Sequence, residues 1–281
     1  MESAVNRHSI LRTIRRTIFY LFIVAVVVSW AFPVLWIMVS SFKPDRLIIS
    51  QTITYFFTPT LEHYGRIFTT HNFGHFLVDS LVVAVSTTLI AGVTGFMAAY
   101  SLSRFKTGGP FANIGLFVTR IAPPAAVLMP FFMIFKITHM INNLGSLIIV
   151  NLSLNLSFAI LMLRTFIDEI SVSIEEAAEI EGASWSQILW QIVFPLSRPG
   201  IITTSIFTFI FTWNEYLFAL VLASSNRVKT LPVAAGDFIT AYAIEWGPVF
   251  ASGALILLPI LIMTFVVQKY IVRGLTFGAI K

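Results

Sequence analysis

The sequence contains no cysteine among its 281 residues. Disulfides, thiolate metal sites and a cysteine nucleophile are thereby excluded. Charge is scarce as well: Asp, Glu, Lys and Arg together make up 11%, against about 25% in ordinary soluble domains. Histidine occurs five times, at His8, His63, His71, His75 and His139. All lie near the N-terminus or between the long apolar runs, so no Ser-His-Asp arrangement can be assembled. His71 and His75 are four residues apart, which can bring two imidazoles to one helix face. No carboxylate lies between them, and no metal site is expected. A phosphate-binding loop needs a Gly-Lys pair at a helix start, and none of the 15 glycines is followed by lysine. The chain therefore carries no recognisable ATP-binding motif, and no cofactor of its own is expected.

What the sequence has in excess is apolar surface. Hydrophobic residues make up 57%, and the mean hydropathy is +0.87. A folded chain of this size still exposes about a quarter of its unfolded surface, so one soluble core cannot hide this much. The same numbers exclude a disordered chain. An all-α polytopic membrane protein remains, with about 20 residues needed per helical span. Six runs qualify: Ile18 to about Val39, Leu77 to Ser101, Asn113 to Phe135, Ser146 to Leu163, Gly200 to Leu222 and Val249 to Gln268. The first is too long for a signal peptide and has Trp30, Pro33 and Trp36 inside it, so it reads as an uncleaved span.

An even number of spans puts both termini on one side. With the termini inside, eleven basic residues face the cytoplasm and six face outward, Arg120 lying within the third span. Arg7, Arg12, Arg15 and Arg16 beside the first span weigh most in this assignment. The net charge of +5 is then a basic cytoplasmic face in contact with lipid, and no nucleic-acid partner is expected. The chain divides into a cytoplasmic segment 1–17, a first span 18–41, an outer segment 42–76, a five-helix core 77–268 and a cytoplasmic tail 269–281. The outer segment carries Tyr55, Phe56, Phe57, Tyr64, Phe68 and Phe73, and is expected to form a short helix or lid on the membrane surface.

The inner loop 165–199 is the most informative stretch. Ser173 with Glu176 has the form of a capping box, and so does Ser184 with Gln187. Gly182 suits the left-handed end of a first helix, and Pro195 is expected to stop a second. Trp185, Ile188, Leu189 and Ile192 form one apolar stripe at helical spacing. In the first helix Ala177 and Ala178 give a flat surface among Glu175, Glu176, Glu179 and Glu181. Such a surface admits close approach by another protein; equally, the hairpin could be solvated and merely plug the membrane mouth.

The spacing Glu176-Ala177-Ala178, then Gly182, then Ile192, Phe194 and Pro195 resembles the coupling-loop motif of bacterial ABC importer permeases. Trp213-Asn214-Glu215-Tyr216 and the ending Val272-Arg273-Gly274-Leu275-Thr276 are similar to the carbohydrate branch, specifically the second permease of maltose-type importers. The likeness runs from about the second span to the C-terminus. Three positions depart from the pattern: Ser171-Val172-Ser173 stands where a proline is common, Glu181 where Asp is usual, and Phe194 where Leu is common. The resemblance implies a transport subunit in the bacterial inner membrane. It implies a second permease, an ATPase dimer that holds ATP and Mg, an outer substrate-binding protein and a carbohydrate substrate. By the same resemblance Glu175, Glu176, Ala177, Ala178, Glu179, Gly182 and Ala183 form the ATPase-coupling lever. The tail residues Arg273, Gly274 and Lys281 either reach the ATPase or act as a positive-inside anchor. A stand-alone secondary transporter would leave the coupling-loop motif unexplained, and a membrane enzyme would need a cluster of nucleophile, base or metal ligands at one membrane level, which the sequence does not offer.

Ionisable and amide groups within spans suggest function by default. Asn214 and Glu215, flanked by Trp213 and Tyr216, could line a sugar path or make a buried interhelical hydrogen bond. Arg120, close to Pro123 and Pro124, is expected to satisfy carbonyls freed by the broken helix. Asn151, Ser153, Asn155 and Ser157 are candidates for contact between two permeases.

Overall fold

A computed structural model describes residues 2–277 and is helical throughout, with no strand among the described residues beyond two isolated bridges. The helices are α1 (Glu2–Ser40), α2 (Asp45–Ile48), α3 (Glu62–Thr69), α4 (Phe73–Arg104), α5 (Gly109–Ile121), α6 (Pro124–Ile137) and α7 (Leu144–Asp168). They continue with α8 (Val172–Ile180), α9 (Trp185–Gln187), a π-helical stretch Ile188–Val193, α10 (Phe194–Leu196), α11 (Arg198–Trp213), α12 (Leu217–Leu222), α13 (Leu231–Gly236) and α14 (Trp246–Phe277). Four helices are continuous and apolar enough to cross a membrane, within α1, α4, α7 and α14; two bent pairs bring the number to six.

The third run is one bent pair. α5 and α6 meet at 93°. Ala122 and Pro123 are extended, at ψ 125° and 129°, because a residue preceding proline is driven out of the α region. Pro124 then starts α6, where its missing N–H costs nothing. The other bent pair is the helical stretch Trp185–Leu196 with α11, at 75°. The fifth run itself is interrupted between α11, which ends at Trp213, and α12, which starts at Leu217.

The chain forms two compact units. The smaller comprises residues 1–70 and 238–257. In it the outer segment forms α2 and α3, tied by Arg66, whose Nη2 donates to Asp45 at 3.1 Å and to Glu62 at 3.2 Å. His63 is fully buried and its Nε2 meets the Lys43 carbonyl oxygen at 2.7 Å.

The larger unit comprises residues 71–237 and 258–281. Its centre is α4, α7 and α11 packed against one another. Gly95 lets α4 approach α7 closely, since a Cβ there would stand 3.2 Å from that of Ala159; small residues are the usual means of close packing between membrane helices. One apolar cluster at the start of α4 and α7 holds α6, α12 and α13 through Phe135, Phe218, Leu222 and Val233. A second, at their far ends, holds the α8–α10 loop through Phe96, Leu163, Ile188 and Val193. Asn151 and Asn155 are buried inside this unit rather than presented to a partner. The Asn155 amide reaches Thr212 Oγ1 at 3.4 Å, and Ser157 meets Thr119 at 2.7 Å. Asn151 and Asn155, four residues apart, share one inward face of α7, where polar side chains hold helices together.

Candidate functional site

The loop after α7 is fixed by one side chain of α4. Arg104 Nη2 donates to the carbonyls of Ile167 at 3.1 Å and Ile170 at 2.9 Å, satisfying the end of α7. Its Nε donates to Glu175 Oε1 at 2.7 Å. Tyr100, one turn earlier, donates its hydroxyl to Glu175 Oε2 at 2.8 Å. Glu175 is buried, at 7% exposure. It is therefore not part of an outward carboxylate rim; it pins α8 to α4.

The helix begins two residues earlier than the capping-box spacing predicts. Ser171 is the N-cap and makes no side-chain cap bond, and the Ser173 hydroxyl meets that of Ser171 at 2.7 Å. Ser173 consequently lies within the first turn, and Glu176 is left unengaged and exposed. The physical reason is tertiary: the carbonyl of Ile170 and the carboxylate of Glu175 are both held by Arg104, which sets where the chain turns.

With Glu175 and Ala178 facing inward, Ser173, Glu176, Ala177 and Ile180 form the outward stripe, at the i, i+3, i+4, i+7 spacing of one helix face. Ile180 is 88% exposed. Ala178 and Ala183 pack against the apolar cluster beneath, while Glu179 and Glu181 stay exposed. The helix ends as Gly182 requires. Its φ is +90°, its N–H donates to the Glu179 carbonyl at 2.9 Å, and the Ala183 N–H donates to that of Ala178 at 3.0 Å. These two bonds are the Schellman pattern. A Cβ added at Gly182 would meet nothing within 4 Å beyond its chain neighbours, so backbone conformation alone demands glycine there.

The second helix starts as its sequence suggests, Gln187 Oε1 accepting from the Ser184 N–H at 2.7 Å and hydroxyl at 2.8 Å. Of the expected stripe, Ile188 is buried and Leu189 and Ile192 pack beside it, whereas Trp185 is half exposed and lies against Phe105, centroids 4.6 Å apart. Pro195 does not stop the helix. The chain widens into the π-helical stretch, Pro195 falls in the first turn of α10, and the path breaks at Ser197 with a 75° bend into α11. Proline lacks only an N–H that a first turn leaves unused.

The four candidate path residues separate. Trp213 is buried at 1% exposure and stacks on Phe209. Glu215 caps α12, accepting from the N–H groups of Phe218 at 2.7 Å and Ala219 at 3.0 Å. Asn214 and Tyr216 are exposed, and the Asn214 amide donates back to the Ile210 carbonyl at 2.9 Å. Arg120 does not cap a freed carbonyl. Its guanidinium lies over Phe158 and Phe211, 5.3 and 5.4 Å from the ring centres. The backbone of Arg273 and Gly274 continues α14; the Arg273 side chain, and Lys281 entirely, lie outside the described residues. Tyr100 and Arg104 were not singled out by sequence. Arg104 reads there as one more inner positive charge, and its partners are about 70 residues away.

The larger unit is thus a bent-helix core with a short helix, α8, docked on it. The sequence pattern of the binding-protein-dependent transport system inner membrane component family matches residues 91–277. The chain belongs to that family, and it is a multi-pass membrane protein of the ABC permease class. It is 34% identical to the trehalose transport system permease protein SugB of Mycobacterium tuberculosis, over 95% of this chain and 98% of that one. It is 32% identical to the diacetylchitobiose uptake system permease protein DasC of Streptomyces coelicolor, over 92% and 94%. The fold is shared with a solved bacterial ABC transporter involved in import of the acidic polysaccharide alginate, at TM-score 0.75 and 21% identity over 92% of this chain and 96% of that one.

Proposed function

We propose that this chain is the membrane-spanning permease of an ATP-driven sugar importer, working beside a second permease, an ATPase pair and an outer binding protein. The observation that carries this reading is the two-sided character of α8. Its inner face is locked to α4 by Tyr100 and Arg104, and its outer face presents Glu176, Ala177 and Ile180 to a partner. A helix locked this way moves with α4 and not independently of it. Closure of an ATPase pair against the outer face would therefore displace the core helices, and alternating access would follow. ATP and Mg belong to that partner; this chain supplies the lever. Both termini are assigned to the cytoplasm with α8, and the basic tail from Arg273 to Lys281 to the same side. Support for a carbohydrate substrate comes from the sugar permeases among its relatives.

The test is co-purification from the native membrane followed by mass spectrometry. A second multi-span chain together with an ATPase is the expected result. A chain that purifies as a homo-oligomer and moves solute in liposomes without ATP would sink this reading and favour a secondary transporter.

A further inference from the structure

The placement of Arg120 is not explained by the coupling loop. It sits at the end of α5, at the bend of the broken span. Its ring partner Phe158 lies in the middle of α7, ten residues from the inner end at Asp168 and fourteen from Leu144. At 1.5 Å per residue that is about 15 Å from the inner end, so the guanidinium is held near mid-depth. No carboxylate or hydrogen-bond acceptor engages it among the described residues; only the rings of Phe158 and Phe211 do. A guanidinium carries five N–H donors, and an arginine at this depth faces a partner or a water-filled cavity, because lipid is too costly.

Its surroundings have the chemistry of a sugar site. Phe158 meets Phe207 and Phe211 at 6.1 and 5.2 Å between centroids. Phe211 is 38% exposed, and its ring offers an apolar face to a pyranose. Phe207 and Phe211 stand at i and i+4 on α11, and Asn214, three residues further on, is the exposed C-cap of that helix. A planar guanidinium held over rings binds carboxylate and sulfonate oxygens in pairs.

We propose that Arg120, with Phe158, Phe207, Phe211 and Asn214, forms a subsite on the translocation path for a sugar that carries an oxyanion. This rests on the sugar-importer reading above and names the substrate class for it. The rings take the apolar face of the sugar, Asn214 takes a hydroxyl, and Arg120 takes the charge. Binding at a single solvent-facing cation is weak enough to release the sugar, as a transport path requires.

The experiment uses the co-purified importer in nanodiscs and two probes, methyl glucuronide and methyl glucoside, by saturation-transfer NMR. The wild type is expected to prefer the glucuronide by about tenfold, the worth of one charge-assisted hydrogen-bond pair. Arg120→Gln is expected to abolish the preference, and Arg120→Lys to keep part of it. Phe211→Leu, which leaves the charge in place, is expected to weaken both probes alike. Equal binding of the two probes by the wild type overturns the proposal, as does a preference that survives Arg120→Gln. Loss of the second permease from the Arg120→Gln complex also overturns it, since Arg120 would then be an interface group. If no ATPase co-purifies at all, the importer reading itself has failed, which is a different result.

Discussion

Glu175 and Glu215 sit near the starts of two short helices, and their carboxylates are held in opposite ways. Glu215 binds the backbone N–H groups of Phe218 and Ala219, three and four residues ahead, so it serves only the helix it begins. Glu175 binds Tyr100 and Arg104, side chains of another helix 75 and 71 residues earlier. A local cap shapes one element. A long-range pin makes two elements move as one. The difference teaches which carboxylate can transmit force: the lever needs the pin, and the break in the fifth span needs only the cap.

The strongest way to break this contrast is Arg104→Ala. It strands Glu175, whose side chain is 8% exposed, without its ion-pair partner. Removing one member of a buried pair costs roughly 3–5 kcal/mol, and here the end of α7 loses its carbonyl ligand as well. We expect the chain to remain in the membrane while uptake by the reconstituted importer is lost and hydrogen exchange in α8 rises. Unchanged exchange in α8 would mean that the pin does not hold the helix.

Tyr100→Phe is the milder probe of the same pin. It deletes one hydrogen bond to a charged group, worth about 1.5–3 kcal/mol, and leaves the Arg104 pair in place. Faster exchange in α8 with partial uptake is expected. A loss as complete as that of Arg104→Ala would show that the tyrosine, not the ion pair, is the main tie.

Gly182 sharpens the comparison from the other end of α8. Its surroundings are open but its φ is +90°, so Gly182→Ala should cost about 1–2 kcal/mol through backbone strain alone. Asn tolerates that conformation better than most residues, and Gly182→Asn is expected to retain more uptake than Gly182→Ala. Gly182→Asp adds a fourth exposed carboxylate beside Glu176, Glu179 and Glu181, and is expected to block uptake without removing the chain from the membrane. Equal uptake by all three variants would show that the turn does not set the position of the lever.

The spans, the family motif and the end of α8 were legible in the sequence because each rests on local chemistry: a long apolar run, a fixed spacing, a glycine that must adopt a positive φ. The start of α8 was not. The Ser173–Glu176 pattern is a sound local signal, but Arg104 holds Ile170 and Glu175 and moves the cap to Ser171. Pro195 misled for a related reason, since a widened helical turn can carry a proline that a regular helix interior would reject. The inward turn of Glu175 was illegible because six carboxylates in the loop 165–199 look alike until α4 is packed against one of them.

Glu215→Ala is the smallest expected effect and the most discriminating control. Losing a capping acceptor costs about 1 kcal/mol, confined here to α12 and to the break that follows Asn214. If the carboxylate is only a cap, Glu215→Gln, which keeps an acceptor oxygen at the same reach, should restore most of the loss. The double variant Glu215→Ala with Tyr100→Phe should then show additive changes in thermal stability, as separate sites without shared partners do. A clear departure from additivity would mean that the break in the fifth span and the pinned lever are one mechanical unit. The contrast between a local cap and a long-range pin would then fail at its first premise, that Glu215 serves α12 alone.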